Sequence, residues 1–468
     1  MPLFIKKNGS KSMQVSQFFD NTLLNKYNTS GPRYTSYPTA LEFHDDFSHQ
    51  DFIKAIENSQ NRELSLYVHI PFCHTLCYYC GCNKVITRHR DKADTYLEYL
   101  AQEIALQAPL FTEYSVKQLH WGGGTPSFLT HKQITQLVSL LKEKFNFSDE
   151  LEMSIEIDPR EIEMDLAEHL FSLGFNRLSL GVQDLDLKVQ QAINRVQSTQ
   201  FIGDFIAHAK EVGFQSINID LIYGLPHQTL ENFHKTLVKA HEWDVDRISL
   251  FSYAHLPSRF AAQRKLRDEW LPNTQEKFAL MKLAIETLCD FGYDFIGMDH
   301  FAKPNDELSI AQSDGTLHRN FQGYTTKGGC DLLGLGVSSI SAIGNSFSQN
   351  IKDLKEYYQA ITERQHAQIK GVILSQDDII RAEVIRELMC NLYLDKQVIS
   401  DKYNINFDVY FAEDLPLLDT FINDGLMENS ANFIKVEQKA RLLIRIICMS
   451  FDAYMKKHIN QQRFSRVI

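Results

Sequence analysis

An α/β fold built on a mostly parallel sheet is predicted by three features of this sequence. Short β-rich runs alternate with amphipathic helical stretches from residue 64 to about residue 290. Polar or glycine-rich features fall at the ends of five successive runs. Four cysteines, Cys73, Cys77, Cys80 and Cys82, lie within ten residues just after the first run. Strands that alternate with helices pair in parallel through right-handed crossovers, and such folds gather their chemistry at the carboxyl ends of the strands. Periodicity does not separate six units closed into a partial barrel from six wound into an open sheet.

Taken in order, residues 1–60 lack strong periodicity and are expected to form an N-terminal arm. Within it Gly31-Pro32-Arg33-Tyr34-Thr35-Ser36-Tyr37-Pro38 should run extended, because each proline pushes its predecessor away from helix. The β-rich runs are Leu64 to His69, Gln118 to Trp121, Glu152 to Ile157, Arg177 to Val182, Ser216 to Ile222 and Arg247 to Tyr253. A helix near Asp91 to Ala108 carries Tyr96, Leu97, Leu100, Ala101, Ile104 and Ala108 on one face. The next opens with a capping box, Thr130-x-x-Gln133, and shows Ile134, Leu137, Val138, Leu141 and Phe145 on one stripe. A longer connection leads to a helix near Thr274 to Asp290, after which the pattern becomes irregular.

The main unit is expected over residues 61–369 and a mostly helical C-terminal domain over 370–468. The latter opens at Ser375-x-x-Asp378 and puts Ile380, Val384 and Leu388 on one face. Helices up to Asp424 and a hairpin over Leu426 to Val436 resemble a winged helix. DNA binding is not expected, because the helical segment Asp408 to Asp424 holds five acidic residues and no Lys or Arg to meet phosphates.

Composition narrows the function classes. The chain has 468 residues, is 44% hydrophobic and 11% aromatic, and so can bury a large core. A formal net charge of -11 argues against a general nucleic-acid or membrane-surface binder. No apolar run approaches a membrane span, and Lys6, Lys7 and Lys11 are followed by no apolar stretch. A cytoplasmic protein is expected, and in that compartment eight cysteines read as metal ligands or buried thiols rather than disulfides. Cys289, Cys330, Cys390 and Cys448 are scattered singly and are expected in the core.

The clustered cysteines have the spacing C-x3-C-x2-C, then one more at C-x-C. Structural zinc usually takes two separated ligand pairs, and none follows here. A thioredoxin-like pair, Cys77 and Cys80, would not call for a third cysteine. Iron–sulfur ligation fits better, with three thiolates on a cubane cluster and one iron left open. Four ligands would close the cluster and leave it only to carry electrons, so Cys73, Cys77 and Cys80 are taken as ligands and Cys82 as a neighbour. Gly122-Gly123-Gly124-Thr125-Pro126 follows the second run and would let a ligand approach backbone amides; it is neither a dinucleotide fingerprint nor a P-loop. Glu156 and Asp158 end the third run, Gln183 and Asp184 the fourth, and Asp220 lies late in the fifth. Glu156 reads either as a structural carboxylate or as a ligand contact, since a carboxylate that is buried must be satisfied and a ligand ammonium or ribose hydroxyl is suited to do so.

The cysteine loop with GGGTP resembles the radical S-adenosylmethionine (SAM) superfamily. More narrowly, YVHIPFCHTLCYYCGCNK, HWGGGTPSFL, SIEIDPRE, LSLGVQD, NIDLIYGLP, NFQGYTT and the arm GPRYTSYPTA are similar to the oxygen-independent coproporphyrinogen III oxidase (dehydrogenase) family, from about residue 30 onwards. The resemblance implies a partial (β/α)6 barrel, one [4Fe-4S] cluster on Cys73, Cys77 and Cys80, and two SAM molecules. Tyr67, Gly123, Glu156 and Ile340 would contact the first SAM. Tyr79, Gly124, Thr125, Gln183, Arg195, Asp220 and Ala254 would contact the second; the family usually has Phe where this chain has Tyr79. Tyr67, Glu156 and Arg33 are the expected catalytic set.

The implied reaction converts two propionates of coproporphyrinogen III to vinyl groups, giving protoporphyrinogen IX, by way of a 5′-deoxyadenosyl radical. Four substrate carboxylates call for cations, and Arg33, Lys84 and Arg319 are the candidates by charge and placement. An electron donor of flavodoxin or ferredoxin type is implied, and a monomer is expected. A related branch binds haem as a chaperone; it usually lacks the arm and the C-x-C ending and tends to carry His-Asn-x-x-Tyr-Trp. Here the matching stretch is His318-Arg319-Asn320-Phe321-Gln322-Gly323-Tyr324, which favours the enzyme.

Overall fold

The six β-rich runs form six parallel strands in a computed structural model that describes residues 20–455. They are β1 (Glu63–Ile70), β2 (Ser115–Gly123), β3 (Phe147–Ile157), β4 (Arg177–Gln183), β5 (Ser216–Tyr223) and β6 (Arg247–Ser252). They lie side by side in chain order, every neighbouring pair parallel. Several begin or end one to five residues beyond the apolar runs, because the ladder continues through polar positions that alternation alone leaves out. Lys6, Lys7 and Lys11 lie outside the described residues.

The irregular stretch after residue 292 extends the same sheet. β7 (Asp294–Gly297) and β8 (His300–Ala302) form an antiparallel pair, with β8 antiparallel to β6. On the other side β9 (Asp331–Leu335) pairs in parallel with β1, and β10 (Ile340–Ile343), β11 (Ser346–Asn350) and β12 (Gln368–Ile373) continue it as an antiparallel meander. The sheet therefore has twelve strands in the order β12-β11-β10-β9-β1-β2-β3-β4-β5-β6-β8-β7, and its two edges are not paired with each other. β9 is an addition to the sequence reading: its Asp-Leu-Leu-Gly-Leu is too short and glycine-broken to stand out. β12 spans the expected domain boundary near residue 370.

One face of the strands is apolar. Leu64, Leu66, Val68 and Ile70 of β1, Leu119 and Trp121 of β2, and Ile155 of β3 all belong to the main core. The helices Asp91–Gln107 and His131–Lys144 bury Tyr96, Leu100 and Ile104, and Ile134, Leu137, Val138 and Leu141, in the same core. The capping box at Thr130 and Gln133 forms as expected. Leu97 and Ala101 are only half-buried, and the place expected for them is shared by Glu103. That carboxylate is buried yet satisfied, accepting from the Gly336 amide at 2.7 Å, Asn350 Nδ2 at 2.7 Å and Tyr357 Oη at 2.7 Å. It ties the first helix to the end of β9.

The opposite face is polar and hydrogen-bonded across strands. Ser65 Oγ donates to Gln118 Oε1 at 2.8 Å and Gln118 Nε2 to Glu152 Oε1 at 2.7 Å, while Arg177 Nη2 meets Glu307 at 2.9 Å. Above that floor stand Tyr67, His120, Ser154, Asn218 and Ser249.

The C-terminal unit opens with the helix Gln376–Asn391, capped by Ser375 and Asp378, and has a three-stranded antiparallel sheet of Tyr393–Asp395, Met427–Asn429 and Phe433–Val436. The stretch read as one helical segment, Asp408 to Asp424, is broken into the short turns Phe407–Tyr410, Leu415–Leu418 and Asp419–Asn423. Pro416 lacks the backbone donor a continuous helix needs there. The arm is divided between two cores: Phe52 and Ile56 join the main one, whereas Leu24, Tyr27, Tyr34 and Tyr37 pack with the C-terminal unit. Cys390 and Cys448 are buried there as expected; Cys289 and Cys330 are half-buried, short of the expected core positions.

Candidate active site at the carboxyl ends of the strands

The cysteine loop leaves β1 and is closed at its base, where Phe72–Cys73 pairs with Val85–Ile86. It is pinned to the turn after β4: the Tyr78 amide donates to the Ile193 carbonyl at 3.0 Å and Asn194 Nδ2 to the Leu76 carbonyl at 2.8 Å. Tyr78 and Tyr79 pack on a small apolar cluster that includes Val189, Ile193, Leu225 and Tyr253. Cys73 and Cys77 are buried, and no cysteine of the loop is in a disulfide.

Each of two thiols has its own donor. Thr125 Oγ1 lies 3.3 Å from Cys73 Sγ, and Arg160 Nη2 and Arg195 Nη1 each lie 3.4 Å from Cys77 Sγ. Burial pushes the Cys73 thiol up to about 11 despite Thr125. The Cys82 side chain beside Cys80, with Lys84, holds the Cys80 thiol below its ordinary value against the effect of burial. Donors aimed at sulfur suit thiolates bound to iron. Among the described residues no three His, Cys, Asp or Glu side chains converge as ligands of a single ion would. A cubane cluster does not ask for that, since each thiolate binds a different iron. The loop fits such a cluster.

The triple glycine faces this loop, and each glycine answers to a close approach. A Cβ on Gly122 would come within 3.0 Å of Glu156 Oε1, and one on Gly124 within 2.6 Å of the Pro71 carbonyl. Gly123 has φ +117°, and a Cβ there would lie 2.6 Å from the His69 ring. Its amide donates to Glu156 Oε2 at 3.2 Å. Glu156 also faces His120 Nε2 at 3.5 Å, and His120 Nδ1 pairs with Ser154 Oγ at 2.7 Å. The Tyr67 ring stacks on His120 with centroids 5.9 Å apart. Tyr67 Oη donates to His69 Nδ1 at 3.1 Å, which leaves the His69 Nε2 proton for the Asn83 carbonyl at 3.1 Å. Ile340 joins them across Gly334, the register partner of Tyr67: a Cβ on Gly334 would meet the Ile340 carbonyl at 2.5 Å.

The second expected group lies along β4 to β6. Gln183 takes a positive φ of 67° at an irregularity in the β4–β5 ladder, which turns the strand end. Arg195 is buried and held by the Gly181 carbonyl at 2.5 Å and Asp158 Oδ2 at 3.0 Å. Burial opposes the Asp158 charge, but Arg195 and Arg160 outweigh it and bring the carboxyl down to about 2. Asp220 moves the other way: burial, then the nearby Glu156 charge, pushes it up to about 7. It accepts from Asn218 Nδ2 at 2.9 Å. Asp184, at the end of β4, is fully buried and accepts from Gln228 Nε2 at 2.6 Å and the Asp186 amide at 2.7 Å, so it braces the wall.

Gln263 is absent from the sequence reading and links two members of this group. Its Nε2 donates to the Tyr79 carbonyl at 3.0 Å and the Ala254 carbonyl at 3.2 Å. A glutamine in a long connection carries no signal of that kind.

The three candidate cations differ. Lys84 spends its ammonium on the carbonyls of Cys80 at 3.0 Å and Cys82 at 3.4 Å. Arg33 is paired with Asp299. Arg319 lies over the Tyr324 ring at 4.8 Å, and its Nε and Nη1 are buried without a hydrogen-bond partner. Nearby His300, on β8, also escaped the sequence reading. Burial, then Arg319 and Arg33, push its imidazole down to about 3, so it is neutral, and its Nδ1 has no partner.

The Radical SAM superfamily model matches residues 67–240, the stretch from Tyr67 through the helix after β5. The fold and the cysteine loop thus define a radical SAM protein, a class that implies a [4Fe-4S] cluster and SAM. The chain is 55% identical to the oxygen-independent coproporphyrinogen III oxidase of Salmonella typhimurium over 96% of its length and 98% of the relative's. It is 55% identical to that of Escherichia coli, covering 97% of this chain and 100% of the relative, and 46% identical to that of Synechocystis, covering 96% and 98%. The solved structure of coproporphyrinogen III oxidase (HemN) from Escherichia coli, a radical SAM enzyme, superposes with a TM-score of 0.91 at 54% identity, covering 94% of this chain and 100% of that one. The chain belongs to the oxygen-independent coproporphyrinogen III oxidase family.

Proposed function

We propose that the rim above β1–β6 holds one [4Fe-4S] cluster and two SAM molecules, and that the chain removes carbon dioxide from two propionates of coproporphyrinogen III. The observation that carries this is the unpaired Cys73–Cys77–Cys80 loop set against Gly122, Gly123, Gly124 and Glu156, in a chain alike end to end to coproporphyrinogen III oxidases. When bound, the cluster and SAM supply a one-electron reduction and a carbon radical that takes a hydrogen atom from the substrate. Each –CH2–CH2–COO⁻ then gives up that hydrogen atom, one carbon dioxide and one further electron to become –CH=CH2. A carrier of flavodoxin or ferredoxin type is the proposed reductant. The enzyme is proposed to work in the cytoplasm as a monomer.

The chain's own residues bind, orient and exclude water. Cys73, Cys77 and Cys80 are the proposed iron ligands, with Cys82 free. Glu156 and the Gly123 backbone line a place for the first SAM's polar groups, beside Tyr67 and Ile340. Tyr79, Gly124, Thr125, Gln183, Arg195, Asp220 and Ala254 are the proposed contacts of the second. Arg319, with unpartnered donors, is the strongest candidate to receive a propionate, and Arg33 stands close enough that burial, then the Arg319 charge, lower its proton affinity. A neutral His300 beside them adds no third positive charge.

The experiment is anaerobic turnover of reconstituted protein with SAM and coproporphyrinogen III. Vinyl products are expected; stable haem binding without vinyl formation overturns the reading. Replacing Arg319 by Gln is expected to raise the substrate KM by about 10–100-fold, the range for losing a hydrogen bond between charged groups. Unchanged affinity after neutral replacement of Arg33, Lys84 and Arg319 together removes them from the substrate site.

A further inference from the structure

Two guanidinium groups and one carboxylate surround Cys77. Arg160 grips Asp158 with Nε on Oδ1 at 2.9 Å and Nη2 on Oδ2 at 2.5 Å, and its Nη1 donates to the Asn194 carbonyl at 3.2 Å. Arg195 meets the same Asp158 Oδ2 at 3.0 Å. Both still reach Cys77 Sγ, each at 3.4 Å. The side chains of Asp158 and Arg160 are 10% exposed and that of Arg195 is 6% exposed, so the excess positive charge is poorly screened. Cys73, by contrast, meets the neutral hydroxyl of Thr125, and the Lys84 ammonium is turned to backbone carbonyls near Cys80. Cys77 is thus met by two buried guanidiniums that share one carboxylate, while Lys84 also acts on the Cys80 thiol. Arg195 already has a place in the proposed SAM site, whereas Arg160, from the stretch SIEIDPRE, has none.

We propose that Arg160 is a positioning residue that holds the Cys77 thiolate and, through its buried positive charge, makes the cluster easier to reduce. Adding one electron to a cluster adds one negative charge, which a guanidinium at hydrogen-bond distance from a ligand sulfur favours; hydrogen bonds to sulfur and local charge are two of the levers on such potentials. The inference rests on Cys77 being an iron ligand, and Cys77→Ser tests that part separately: full iron content in that variant removes the ligand reading and the proposal with it, whereas the Arg160 variants test the role of Arg160 alone.

The test is a redox titration of the reconstituted full chain, following the electron paramagnetic resonance signal of the reduced cluster. Arg160→Gln is expected to keep its iron and move the midpoint to a more negative potential. Arg160→Lys, which keeps the charge, should lie closer to the wild type. Asp158→Asn removes the opposing charge and should move the midpoint the other way. Substrate-free formation of 5′-deoxyadenosine at a fixed reductant level should slow in Arg160→Gln. An unmoved midpoint in Arg160→Gln with full iron, or Arg160→Gln and Asp158→Asn moving in the same direction, overturns the proposal. If Arg160→Gln loses its iron while Arg160→Lys keeps it, the holding role is supported, and the sign of the Asp158→Asn shift decides the effect of charge.

Discussion

Replacing Cys73, Cys77 or Cys80 by serine is expected to abolish cluster binding, while Cys82→Ser keeps it; iron and sulfide content of anaerobically reconstituted protein checks both. Asp220 gives a pH signature. Its folded-state pKa, about 7, lies above the ordinary carboxylate value because of burial and Glu156. The folded state thus holds the proton more tightly, so the stability it contributes is full at acid pH and is lost as pH rises towards about 7. Asp220→Asn mimics the protonated form and should raise the melting temperature of the cofactor-free protein at about pH 8, with little change at about pH 4. At this scale the legible residues were those whose type is rare in loops or strand ends: clustered cysteines, a run of glycines, Glu156. His300 and Gln263 were not legible, because their importance comes from which atoms they meet across the chain and not from any local pattern.

Elements were legible wherever burial is one-sided. The apolar faces of β1 and of His131–Lys144 follow from periodicity and from the Thr130–Gln133 box, and both appear in the structure. β9 was missed because a short strand flanked on both sides looks like any apolar stretch, and Asp408 to Asp424 was misread because composition hid the break at Pro416. The turn after β2 makes a sharper prediction. Gly123→Ala would force an L side chain to φ +117° and into the His69 ring. A cost of about 1–3 kcal/mol in backbone strain alone is expected, beyond the ring contact. It should appear as a lower melting temperature, and as weakened SAM binding by equilibrium dialysis, whereas alanine at Gly292 meets no atom within 4 Å and loses only through its φ of +90°.

For the whole molecule, the partial barrel could be anticipated from alternation together with family likeness, but the division of the arm between two cores could not. A chain begun at residue 39 loses Leu24, Tyr27, Tyr34 and Tyr37 from the core shared with the C-terminal unit, and Arg33 from beside Arg319. Such a chain is expected to keep its iron, to bind a dye for exposed apolar surface, and to form little vinyl product. Iron retention with normal turnover would show the arm to be dispensable. The arm's anchor also bears on the order in which the parts come to exist. Tyr34 Oη donates to Asp452 Oδ2 at 2.9 Å, across a separation of 418 residues. During synthesis the cysteine loop and the strands around it leave the ribosome long before Asp452 does, and neighbours in sequence pair sooner than distant ones. The arm is made first and seated last. A nascent chain halted before residue 452 can already own a finished cysteine loop while Tyr34 still lacks the carboxylate that anchors the arm.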